Sequence, residues 1–108
     1  MLSVSDLWKY GIEEFMIRDV PVGRPELTLT CIEGIDNDQL KMAVEYAKMI
    51  ADERHYRTFI RLKERDIYRV YEASDIISIR YVENVILSEY PHRREVERVL
   101  QVHLKIGG

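Results

Sequence analysis

Apolar residues recur along this chain with two periods, and the switches between them divide it into elements. The densest stretch covers 56–83. Its runs 56–63, 67–71 and 76–82 are rich in β-branched and aromatic residues, and are separated by Glu64-Arg65-Asp66 and Ala73-Ser74-Asp75. Such runs with short polar breaks predict an antiparallel meander. In the first run Thr58, Ile60 and Leu62 fall on one side, and Arg57, Phe59, Arg61 and Lys63 on the other. Upstream, 26–32 alternates as well, with Leu27, Leu29 and Cys31 toward a core.

The period changes between these strands. Over 37–53, Leu40, Ala43, Val44, Ala47, Ile50 and Ala51 recur at helical spacing, and Asp36 with Gln39 forms a capping box ahead of them. Residues 26–32, 37–53 and 56–63 thus read as a β-α-β unit, whose crossover is right-handed if the strands are parallel. Over 6–18, Trp8, Ile12, Phe15 and Met16 also fall on one helical face. This predicts a first helix, capped by Ser3 with Asp6 and stopped by the prolines at 21 and 25. Gly11 inside it marks a close packing contact.

The last quarter fits two patterns. Residues 84–90 extend the preceding strand or form a loop with apolar anchors. Beyond Pro91, Val96, Val99, Leu100 and His103 follow a helical spacing, while Leu100, Val102, Leu104 and Ile106 alternate. Proline at a first helical position and Gly107 as a cap predict a helix over 92–104. The expected architecture is two-layer α+β in the order α-β-α-β-β-β-α. It has a mixed four-stranded sheet, built from the β-α-β unit and the meander, with helices mainly on one face.

A length of 108 residues gives one domain, 1–108, able to bury its own core. The net charge of -3 favours neither a polyanion nor a membrane surface as an obligate partner. Charge is unevenly spread, at -5 over 1–54 and +2 over 55–108, which allows head-to-tail association. The single cysteine forms no internal disulfide, and no window approaches the ~20 apolar residues of a membrane span. With no basic, apolar leader at the start, a cytoplasmic protein without membrane contact is expected.

No chemistry-bearing cluster stands out. His55, His92 and His103 lack a second ligand at metal spacing, Cys31 lies within a strand, and Gly23 and Gly34 are isolated. No catalytic residue, cofactor or metal is therefore expected. Two constellations remain. Met42, Tyr46 and Met49 form a second apolar stripe on the central helix, suited to a protein partner or a second copy. Arg61, Arg69 and Arg80, with Phe59 and Tyr71 beside them, form a row across the sheet if the registers allow it. Arginine with aromatics on a sheet stacks bases and holds phosphates. Acids nearby, Glu64, Asp66 and Glu72, oppose that field. The expectation is a small, non-catalytic protein-interaction or regulatory module, homodimeric through the Met/Tyr stripe and the 84–90 segment. The alternative is a nucleic-acid-binding protein using the Arg/Tyr face.

Overall fold

Leu27, Leu29 and Cys31 do point into the core, and they sit in the second strand of a sheet rather than the first. The computed structural model describes residues 7–89 and 91–106. Its elements are β1 (Ile12–Arg18), β2 (Glu26–Cys31), α1 (Asn37–Arg54), β3 (Arg57–Glu64), β4 (Ile67–Glu72), a 3-10 turn (Ala73–Asp75), β5 (Ile76–Glu89) and β6 (His92–Leu104).

The four-stranded mixed sheet has the order β1-β2-β3-β4. β2 and β3 are parallel, and the outer pairs are antiparallel. The β2-α1-β3 unit therefore stands as read from the sequence. α1 starts at the capping box, with the Asp36 carboxylate accepting from the Gln39 amide at 2.7 Å. It ends at His55, whose φ of 56° is left-handed. Its buried stripe is Leu40, Ala43, Val44, Ala47 and Ile50, against Leu27, Leu29, Ile60 and Leu62 on the sheet.

Two expected helices are strands instead. The turn ahead of β1 closes with the Gly11 amide donating to the Trp8 carbonyl at 2.9 Å, and Gly11 takes φ +75°. A left-handed glycine ends helical winding. Ile12–Arg18 then pairs antiparallel with β2 across a bulge between Ile12 and Glu14. The four residues that share a helical face here are too few to outweigh an open sheet edge beside them. The proposed cap at Ser3 and Asp6 lies outside the described residues.

The second correction is larger. The meander breaks at the 3-10 turn, and 76–82 never joins the four-stranded sheet. β5 continues to Glu89 and pairs with β6 over its length, with Tyr81 opposite Leu100, Val85 opposite Val96 and Glu89 opposite His92. His92–Leu104 is a strand because β5 gives its alternating residues a full-length partner. Pro91 lies by the hairpin bend, not at a helix start. Gly107, the expected cap, is outside the described residues.

The base of this ribbon closes the core. Ile76 and Tyr81 are buried with α1 and the sheet, and Ile79 and Leu100 pack against them. The far half projects. The radius of gyration is 16.1 Å, against about 13 Å for a compact chain of this length. The longest extent is 56 Å.

Candidate functional site

The sequence placed five side chains on one face, and the backbone separates them. Two-residue periodicity puts Arg57, Phe59, Arg61 and Lys63 on the face of β3 away from α1. Register then brings Tyr68, Val70 and Glu72 of β4 to that same face. Arg69 and Tyr71 are on the opposite face, opposite Leu62 and Ile60. Arg80 belongs to the ribbon, where it hydrogen-bonds Gln101 at 3.3 Å. Phe59 and Arg61 are thus neighbours, and no row through Arg69, Tyr71 and Arg80 forms.

Much of the charge on the open face is already committed. Arg18, Glu26, Arg57 and Glu72 alternate in sign across all four strands, with contacts of 3.3, 3.4 and 2.8 Å. The hydrogen bond from Arg57 to Glu72, and the charge of Glu72, raise the guanidinium pKa further. Lys63 reaches Glu33 at 3.4 Å, and Arg61 lies over the Tyr68 ring at 3.7 Å. Arg69 pairs with Glu64 at 3.5 Å.

The Met/Tyr stripe is partly used. Tyr46 stacks on Tyr10 with ring centroids 4.9 Å apart, so the stripe carries the turn ahead of β1. Met42 and Met49 flank that stack and stay about two-fifths exposed, at 40% and 43%. They line a shallow depression with Tyr10 and Glu45. A larger groove of about 370 Å³ opens between α1 and the start of β5, with Lys41, Val44, Lys48, Ile77 and Ile79 in its wall. Lys48 donates to the Ile76 carbonyl there at 2.6 Å.

Cys31 is buried, and burial with the nearby Glu13 charge pushes its thiol up to about 12. It is not a nucleophile at neutral pH. Among the described residues, no three His, Cys, Asp or Glu side chains gather as a metal site. No helix among them is long and apolar enough to cross a membrane.

Of the 84–90 segment, expected as a contact surface, residues 84–89 lie in the β5-β6 ribbon. The base of the ribbon is bolted to the domain by polar contacts. The Asn37 side chain donates to the Tyr81 carbonyl at 2.9 Å and accepts from the Tyr81 amide at 2.8 Å. One side chain thereby fills a strand-edge position as a neighbouring strand residue would. The Tyr81 hydroxyl donates to the Lys63 carbonyl at 2.6 Å, and Arg98 donates to the Ile35 carbonyl at 2.6 Å while lying over the Tyr81 ring. The Leu100 amide donates to Glu64 at 2.6 Å, and Arg65 pairs with Glu97.

Beyond that clamp the ribbon is bare. Val85, Leu87 and Val96 share one face, and Leu87 is 76% exposed. The two edges of the far half differ. β6 reads Arg93-Arg94-Glu95-Val96-Glu97-Arg98, and β5 reads Asn84-Val85-Ile86-Leu87-Ser88 with no charge. Charged edges resist strand addition, and uncharged β-prone edges invite it. The sequence marks 84–90 as an apolar contact segment, but not its pairing with 92–97, which was expected as helix.

The chain matches no family model, no curated protein and no solved structure.

Proposed function

We propose that this is a small, non-catalytic protein-interaction module of the cytoplasm, whose contact element is the projecting half of the β5-β6 ribbon. The observation that carries the reading is the bare edge of β5, uncharged over Asn84–Ser88, beside three exposed apolar side chains. A two-stranded ribbon on its own is marginally stable in water. Extended protein segments add to such an edge by main-chain hydrogen bonds, with side-chain contacts on alternate positions. The core domain serves as the mount, and the Asn37 and Tyr81 clamp sets the angle of the arm. The far half from Glu83 to Arg98 carries four carboxylates and three arginines, a balance suited to protein rather than to a polyanion.

The nucleic-acid alternative keeps only Phe59, Arg61 and Tyr68 together on one face, with the surrounding cations held by carboxylates. Selection of extended peptides against dilute protein tests the main reading. Binders are expected to lose affinity at least tenfold with Val85→Pro, which deletes an outward amide. Titration with single-stranded oligonucleotides at low salt gives the opposing result. Binding there that Arg61→Ala abolishes would move the function to the open sheet face.

A further inference from the structure

The Asn37 clamp fixes which backbone groups of β5 face outward. The Tyr81 amide and carbonyl both point away from β6, toward Asn37. In an antiparallel pair these groups alternate direction at every residue. Glu83, Val85 and Leu87 therefore present their amides and carbonyls on the same outer edge, and Asn84 and Ile86 spend theirs on β6. Among the described residues, nothing hydrogen-bonds the outward groups of Glu83, Val85 and Leu87.

We infer that this edge is completed by the same edge of a second copy, as an antiparallel β5-β5 pair whose two-fold axis passes through Val85. The inference rests on the interaction reading above. Symmetric pairing must match outward residues with outward residues, which leaves three registers near the centre of the segment. An axis at Ile86 sets Glu83 against the copy's Glu89, two like charges side by side. An axis at Asn84 sets Leu87 against the copy's Tyr81, whose groups Asn37 already occupies. An axis at Val85 sets Glu83 against Leu87 and Val85 against itself, pairs no like charges and brings only the strand-end Glu89 opposite the clamped Tyr81, so all three outward residues pair. It makes a four-stranded ribbon in the order β6-β5-β5-β6. Val85, Leu87 and Val96 of both copies then lie on one face as a single apolar strip. The charged β6 edges face outward, where they block further growth.

The register makes a sharp cross-linking prediction. A residue on the axis lies about 5.5 Å from its own copy between Cα atoms, within disulfide reach. Leu87 lies about 14 Å from its own copy, four residues along the strand, and out of reach. Cys31 is buried and does not compete. Under mild oxidation Val85→Cys is expected to give a covalent dimer in most of the protein, and Leu87→Cys at least tenfold less. Sedimentation at micromolar concentration is expected to show a dimer for the wild type and a monomer for Val85→Pro, with the core still folded by circular dichroism. Proline at that position deletes only an outward amide. Equal cross-linking of both cysteine variants, or a dimer untouched by Val85→Pro, would overturn the inference. A wild-type monomer whose edge still takes up selected peptides overturns the second copy and leaves the interaction module standing. A monomer that takes up none removes both.

Discussion

Thr58 sits on β3 facing α1, 1% exposed, and its hydroxyl has no hydrogen-bond partner among the described residues. A buried, unpaired hydroxyl costs stability that an isosteric methyl does not. Thr58→Val is expected to raise stability by about 1 kcal/mol, read as a higher urea midpoint at unchanged slope. Gly11 carries the opposite expectation. A Cβ there would meet Ile35 Cδ1 at 2.6 Å, and the φ of +75° is one that L side chains rarely adopt. Gly11→Ala is expected to cost about 1–3 kcal/mol, and a thermal scan showing no change would contradict the packing described for the turn. Cys31 and Tyr81 set the alkaline limit. Burial, chiefly, raises Cys31 from 9.0 to about 12 and Tyr81 from 10.0 to about 12. Between these values the unfolded chain gives up protons that the folded chain keeps, so unfolding gains as pH rises. Stability is expected to hold below pH ~9 and then fall by about 1.4 kcal/mol per pH unit for each group as it enters its window. Urea midpoints from pH 8 to 11 check this, and Cys31→Ala should delay the start of the decline to about pH 10.

The elements divide by where their information lies. α1 and its capping box, β2, β3 and β4 were legible, because cap, period and alternation all agree within each segment. The position of the break at 73–75 was legible, but not that the chain leaves the four-stranded sheet there. β1 and β6 were not. His92–Leu104 fits either period and Ile12–Arg18 reads as helix by its spacing, and each is decided by pairing with its neighbour in the chain, β5 or β2, which spacing within the segment does not show. The same gap explains the scattered Arg/Tyr row. Arg61, Arg69 and Arg80 share a face only if the meander is unbroken and in a different register, and pairing is not written in any one strand. Asn37 shows the reverse case, a polar residue at a helix start whose task is 44 positions away. Asn37→Ala leaves the Tyr81 amide and carbonyl without their partner in a part-buried place. It is expected to cost about 1–3 kcal/mol, and Asn37→Asp, which keeps only the acceptor, is expected to recover part of that. Double-mutant analysis with Arg98→Ala checks whether both act on the same joint, by a coupling energy above about 0.5 kcal/mol.

At the scale of the molecule, a four-stranded sheet with α1 on one face carries an arm that the core among the described residues does not cover. The charge imbalance between the two halves of the sequence does not persist as two poles. Pairs such as Arg57 with Glu26, and Lys63 with Glu33, join cations of the second half to carboxylates of the first. Among the described residues, the outward backbone groups of Glu83, Val85 and Leu87 have no hydrogen-bond partner. Amide hydrogen exchange reads that edge residue by residue. In a free ribbon, Asn84 and Ile86 are protected by β6 while Glu83, Val85 and Leu87 exchange as open amides. With the edge occupied, all five are protected. At the concentrations where a dimer forms, the three outward amides are expected to slow to within about tenfold of Asn84 and Ile86, and to speed up again in Val85→Pro at Glu83 and Leu87. Outward amides that exchange at open-chain rates at every concentration would contradict the account.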